Sequence, residues 1–346
     1  MTDSVTSWGA RYRDLALVGV RSEEVTVRIV LHVGRFAEYL TATYGHDRLS
    51  SVVRRDVVGW RDQLAKTLAA STVNHHLASV SGFLAWGAAQ APDALPGGNL
   101  ATGVGTLALP PLEPRALTTA QVRSLKSVVD RLERFHQLKG RQAGDHQAGD
   151  HQASHTHGRP LRDRAIVYLL LSTGLRREEL VNLDLTQLAP TTVVGLRAAK
   201  RARLTGVRGK GNTTRTVFVS ADARAALADY LQAERPNDTG KATTALFCSA
   251  ISIASRRPDG RLSTRAVNLI LERIGAWHDA EQTDPNRRLG QLRPHTLRHT
   301  FAFALSEETN HDAYELERRL GHRSQRYIAR YTNPPEDVAA SYVEGL

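Results

Sequence analysis

Pro294-His295-Thr296-Leu297-Arg298-His299 is followed about two dozen residues later by Gly321-His322, and nine residues beyond His322 by Tyr331. His295 and Arg298, three apart, share one face of a helix. Arginine offers a planar fork that matches two phosphate oxygens, and histidine can donate a hydrogen bond or carry a proton near neutral pH. Tyrosine offers a hydroxyl nucleophile. Together these residue types suit phosphate chemistry and predict an enzyme that forms a covalent phosphotyrosine.

Two further blocks lie upstream. Thr173-Gly174-Leu175-Arg176-Arg177-Glu178-Glu179-Leu180 closes an apolar run containing Ile166, Val167, Leu169, Leu170 and Leu171. Val207-Arg208-Gly209-Lys210-Gly211-Asn212 precedes Thr216-Val217-Phe218-Val219, which places Lys210 in the turn of a β-hairpin. A Thr-Gly-Leu-Arg tetrapeptide is common at helix ends, whereas His-x-x-Arg-His followed by Leu-Gly-His and a spaced tyrosine is specific in both residue type and interval.

In this order the four blocks resemble the tyrosine recombinase (phage integrase) family, over residues from about 22 to 346. The resemblance implies that Arg176 and Arg298 clamp the phosphate, that Lys210 is the hairpin lysine, that His295 and His322 fill the two histidine positions, and that Tyr331 is the nucleophile. Lys200, Arg201 and Arg203 are rival cations to Lys210, and Tyr327 is a rival to Tyr331, though only Tyr331 has the expected distance from His322. His299 is expected to pack or hydrogen-bond behind Arg298. Arg176 and Glu179 could form a helix-surface ion pair, but Arg177 and Glu178 serve that role equally well.

The implied fold is mainly α with a small antiparallel β-sheet, in two parts. A helical core-binding (SAM-like) DNA-binding domain spans 1–106 with helices from about 22, a linker spans 107–117, and an α+β catalytic domain spans 118–346. Periodicity supports the first part: Ile29, Val33, Phe36 and Leu40 repeat at i, i+4, i+7 and i+11, as do Val53, Val57, Trp60 and Leu64, and again Val73, Leu77, Val80 and Leu84. Ser71 is a candidate N-cap for the third helix. Arg54, Arg55, Arg61 and Lys66 fall mainly off these stripes. Pro92, Pro96, Gly97, Gly98, Pro110, Pro111 and Pro114 mark the break, which lets two domains take opposite faces of a duplex. Thr118 or Thr119 caps the next helix, with Val122, Leu125 and Val129 on its stripe.

Residues 142–157 repeat Gln-Ala-Gly-Asp-His and end Gln-Ala-Ser-His-Thr-His. His146, His151, His155 and His157 could bind a metal, but the polar composition reads as a low-complexity surface insertion.

The chain has 346 residues, a formal net charge of +11 and 41% hydrophobic residues. That length allows two or three domains, and the positive excess points to a polyanion. The excess is uneven: residues 1–110 hold ten Lys and Arg against nine Asp and Glu, and the remainder 36 against 26. If the amino-terminal part binds DNA, it does so through a local patch rather than its overall charge. The single cysteine, Cys248, cannot form an internal disulfide, and no apolar run approaches the roughly eighteen residues of a membrane span. A cytoplasmic, nucleoid-associated location is expected, with no membrane contact.

The resemblance implies that Tyr331 attacks the scissile phosphate and expels the 5′ oxygen, leaving a 3′-phosphotyrosyl link that another strand's 5′ hydroxyl resolves through a Holliday junction. Lys210 is the candidate general acid, assisted by His295. Neither cofactor nor metal is expected: no phosphate-binding Gly-x-x-x-x-Gly-Lys-Ser/Thr loop occurs that would call for ATP, and the arginines take the electrostatic role that a metal ion plays in many nucleases. The implied partners are double-stranded DNA with inverted-repeat core sites, three further copies of the chain in a tetramer, and accessory DNA-bending or directionality proteins. Two other readings are a type IB topoisomerase-like resolving enzyme and an inactive DNA-binding regulator of the same fold. After Tyr331, Pro334, Glu336 and Asp337 suit a helix start, and Val338, Tyr342 and Leu346 form an apolar stripe. The resemblance implies that residues 334–346 are a docking tail onto a neighbouring copy.

Overall fold

The computed structural model describes residues 3–109, 115–134, 136, 158–209, 213–239 and 243–321. The architecture is mainly helical with one three-stranded antiparallel sheet. Two compact units divide the chain, Met1–Glu113 and Pro114–Leu346.

The first unit contains α1 (Val5–Tyr12), α2 (Glu23–Tyr44), α3 (Arg54–Ala65) and α4 (Ala70–Gln90). The three periodic stripes become the inner faces of α2, α3 and α4, where Phe36, Trp60, Phe83 and Leu84 are fully enclosed. Two local expectations change. Ser71 lies exposed within the first turn of α4, and the N-cap is Ala69, which makes no side-chain cap, so packing rather than capping holds that helix end. Val53 is the N-cap of α3 rather than a core residue, and its N–H is taken by the Asp56 carboxylate at 2.8 Å.

Helix begins at Val5, well before residue 22. The Ser4 hydroxyl accepts the Ser7 N–H at 3.0 Å, and Trp8 packs edge-on against Trp86 with ring centres 6.0 Å apart. At the other end of the unit, Leu107 exchanges two hydrogen bonds with the Asn74 side chain, at 2.8 and 2.9 Å. The segment expected as linker, 107–117, is thus tied down at its start. It is also anchored at its end, where Leu117 is buried in the second unit and its N–H donates to Thr300 Oγ1 at 2.9 Å.

The second unit is built around α6 (Pro160–Thr173), which follows α5 (Thr119–Asp130). Thr118 caps α5 reciprocally with Gln121. Ala165 through Leu170 are buried all round α6, so this helix is an axle rather than an amphipathic surface helix. Packed on it are α5, β3 (Thr214–Val219), α9 (Ala221–Ala233) and α11 (Pro294–Glu308). Between them in sequence come α7 (Arg177–Val181), β1 (Leu188–Ala189), α8 (Val193–Ala198), β2 (Ala202–Arg208) and α10 (Thr264–Ala280), and α12 (Ala313–Leu320) comes last. The sheet order is β1-β2-β3, with Leu204 opposite Val217 and Val207 opposite Arg215 across a bulge. Lys210, His322, Tyr327, Tyr331, the repeat at 142–157 and the tail at 334–346 lie outside the described residues.

Candidate active site

α6 and α12 end in the same way. Gly174 and Gly321 take φ values of 58° and 64°, a left-handed cap that glycine adopts without a Cβ penalty. A Cβ on Gly174 would also collide with the Phe301 ring. The last carbonyls of a helix carry the negative end of its dipole and lack intrahelical donors. Arg298, on α11 and only 4% exposed, supplies donors to both ends. Its Nη1 reaches the Gly174 carbonyl at 2.5 Å and its Nη2 the Leu320 carbonyl at 2.7 Å.

Arg176 sits two residues past Gly174 as the N-cap of α7. Its backbone N–H donates to Glu179 Oε2 at 2.8 Å and its Nη1 to Glu179 Oε1 at 2.9 Å. Longer contacts of 3.5 and 3.4 Å run from its guanidinium to the carbonyls of Leu320 and Gly321. Arg176 and Arg298, drawn from blocks 122 positions apart, thus meet at one carbonyl, Leu320, immediately before Gly321-His322.

Glu179 is buried, and its carboxylate is shared with Arg215, which is bound bidentately at 2.8 and 2.7 Å. Burial pushes its pKa up. The hydrogen bonds and charge of Arg215, helped by the Arg176 N–H and guanidinium, outweigh that and hold it at about 2. The expected alternatives therefore coexist: Arg177 pairs with Glu178 at 2.6 Å on the surface, and Arg176 pairs with Glu179 in the interior. Glu179 and Arg215 were not among the expected site residues. The sequence carried one signal for Arg215: it stands in the inward row of β3 with Val217 and Val219, where an apolar residue belongs.

His295 lies one turn before Arg298 in α11 and is solvent-exposed. Partial desolvation, followed by the charges of Arg298, Arg176 and Arg177, lowers its pKa against the opposing pull of Glu178. The shift favours the neutral imidazole, which can both donate and accept a proton. His299 stands edge-on to it, ring centres 6.1 Å apart.

The turn between β2 and β3 is closed by the Gly209 N–H on the Thr213 carbonyl at 2.7 Å. Gly209 is close to Glu179: a Cβ there would stand 3.6 Å from its Oε1. The rivals Lys200, Arg201 and Arg203 are exposed at the far end of the hairpin, where Arg203 faces Phe218. Among the expected site residues the structure thus brings together Arg176, His295 and Arg298, and describes both neighbours of the Lys210 turn and the glycine before His322. Arg176, whose carbonyl contacts are long, and the imidazole of His295 can bind a phosphodiester and stabilise charge as it develops on its oxygens, with Arg298 adding its positive charge behind them while its terminal nitrogens hold the Gly174 and Leu320 carbonyls. Among the described residues no group of His, Cys, Asp and Glu is arranged to hold a metal ion, and no helix is long and apolar enough to cross a membrane.

The sequence model of the Phage integrase family matches residues 151–337, more than half of the chain. Tyrosine recombinase XerC of Azotobacter vinelandii is 35% identical over 176 residues, covering 50% of this chain and 48% of that protein. XerC of Lactobacillus delbrueckii subsp. bulgaricus is 32% identical over 184 residues, covering 51% and 52%. The chain spans about half the length of the curated relatives it matches. In fold it is similar to the Tn1549 transposon integrase in complex with circular intermediate DNA, with a TM-score of 0.67, 17% identity and 99% of each chain covered. It is also similar to the XerH site-specific recombinase bound to difH substrate, with a TM-score of 0.62, 16% identity, and 98% of this chain and 83% of that one covered.

Proposed function

The chain belongs to the phage integrase family of tyrosine recombinases, and on that premise we propose that it is a site-specific DNA recombinase. Residues 1–106 are its core-binding part and 118–346 its catalytic part. Tyr331 passes its hydroxyl proton to the imidazole of His295 and attacks the scissile phosphate; the bond from phosphorus to the 5′ oxygen breaks as the bond to the tyrosine oxygen forms. The leaving oxygen takes its proton from Lys210, with His295 assisting. A 5′ hydroxyl from the exchanging strand then attacks the phosphotyrosine and returns the tyrosine oxygen as the leaving group. Arg176 and Arg298 hold the non-bridging oxygens and offset their growing charge. The partners are duplex DNA with inverted-repeat core sites, a homotetramer assembled on it, and accessory bending or directionality proteins.

The observation that carries this reading is the convergence of Arg176 and Arg298 on the Leu320 carbonyl. Two guanidinium groups from separate elements are held against one helix terminus, the same terminus that leads into His322. Such convergence suits a single phosphate, whereas backbone docking alone can be met by scattered surface cations; adduct formation is what separates the enzyme from a regulator of the same fold.

The test is a nicked suicide duplex carrying the site that the wild-type protein selects from a randomised pool, resolved on a denaturing gel. Wild-type protein and Tyr327→Phe should form a covalent adduct. Tyr331→Phe should shift the duplex normally and form none. An adduct from Tyr331→Phe, or its loss in Tyr327→Phe alone, would overturn the assignment of the nucleophile. Binding by wild-type protein without any adduct would favour the regulator.

A further inference from the structure

We propose that Arg215 is a positioning residue for strand cleavage, acting on Arg176 through Glu179. The proposal rests on the recombinase reading above and deepens it. Arg215 occupies an inward position of β3 beside buried Val217 and Val219, and its side chain is only 9% exposed. A cation in that row is unfavourable unless it is paired. All three of its guanidinium nitrogens are committed: Nη1 and Nη2 to the two oxygens of Glu179, and Nε to the Arg319 carbonyl at 2.9 Å. It acts as a strut between elements, in contrast to Arg176, whose contacts to Leu320 and Gly321 are long.

Charge gives the strut its chemical consequence. Arg176 and Glu179 alone form a neutral pair, and a carboxylate bonded to the clamping arginine opposes the approach of a phosphate. With Arg215 on the same carboxylate, the three groups together carry one positive charge. Arg176 then keeps its attraction for the phosphate while Glu179 fixes its orientation.

Position gives a second consequence. Arg215 follows the turn that bears Lys210, and its Nε holds the end of α12, two residues before Gly321. The approach is close: a Cβ on Gly321 would stand 3.2 Å from Arg215 Nη1, a tight contact. One side chain thus ties the hairpin, the Arg176 turn and the helix leading into His322.

The experiment measures covalent adduct formation on the same selected, nicked duplex under saturating protein, alongside the dissociation constant and the thermal midpoint. Arg215→Met should slow adduct formation by about 100-fold, the scale expected of a small misplacement of a reacting group, with little change in affinity. Arg215→Met combined with Glu179→Gln removes the uncompensated carboxylate and should recover about tenfold of that loss. The double variant also replaces the ion pair by a neutral one, which keeps the test informative if the single variant is unstable. Wild-type rates in Arg215→Met would overturn the proposal. So would a double variant no faster than the single one, or a rescue that only parallels recovery of the thermal midpoint, because a purely structural arginine predicts that parallel. If the wild-type protein itself forms no adduct, the recombinase reading fails and the role of Arg215 fails with it.

Discussion

Glu179 keeps its negative charge in the interior because two arginines and a backbone N–H compensate for lost water. Its pKa falls from an ordinary 4.5 to about 2. A carboxylate whose pKa is lower in the folded state contributes stability that is present in full above its unfolded value. That contribution is lost as pH falls through the folded value. The window for Glu179 runs from about pH 4.5 down to about pH 2, and the shift corresponds to roughly 3 kcal/mol. Urea unfolding at a series of pH values should show wild-type stability falling more steeply across that window than Glu179→Gln. Parallel curves would mean that the carboxylate is not held by its partners. At this scale Arg176, His295 and Arg298 were legible because spacing on a helix and residue chemistry are both local. Glu179 was legible only as one of two candidate pairings, because its second partner, Arg215, lies 36 positions away on a strand. Nothing in either segment alone announces that match.

Elements were legible where an amphipathic stripe was long enough. The faces of α2, α3 and α4 could be read in the sequence, whereas α1 has only eight residues and forms by packing Trp8 and Tyr12 against Trp86. A helix that short is marginal alone, so its existence depends on contacts that periodicity does not record. The opposite case is α6, where burial on every side erases the stripe and leaves only an apolar run. Truncation of one apolar side chain should cost far more inside α6 than on the exposed face of α8. Leu169→Ala, at the fully enclosed middle of α6, should cost about 2–5 kcal/mol through lost transfer energy and a residual cavity. Val194→Ala, at a position 78% exposed in α8, should stay within about 0.5 kcal/mol. Chemical denaturation of the two variants at one temperature measures the contrast; similar losses would show that α6 is not the axle of its unit.

At the scale of the whole chain, each unit has its own core: one includes Phe36, Trp60 and Phe83, the other Leu169, Leu227 and Leu271. The proline and glycine cluster, a compositional signal, marks a break, and the two units part within the same stretch. The edges of the break were less legible, because Asn74 holding Leu107 and Thr300 holding Leu117 are long-range hydrogen bonds. Assembly belongs to this scale too, and the segment after Tyr331 is where it can be tested. Glu336 and Asp337 suit the positive end of a helix, and Val338, Tyr342 and Leu346 recur at i, i+4 and i+8. A helix of that length gains little from propensity and needs a partner surface to form. If that surface belongs to a neighbouring copy on DNA, losing the tail removes a contact between copies but no phosphate contact of the Arg176 and Arg298 pair. Truncation after Asn333 should therefore leave binding to a single site near the wild-type value while abolishing the slower-migrating paired complex and strand exchange. Gel shifts with one-site and two-site duplexes, and a recombination assay on the same preparations, separate these steps. Wild-type recombination by the truncated protein would eliminate the docking role, and equal loss of single-site binding would place the tail in DNA contact instead.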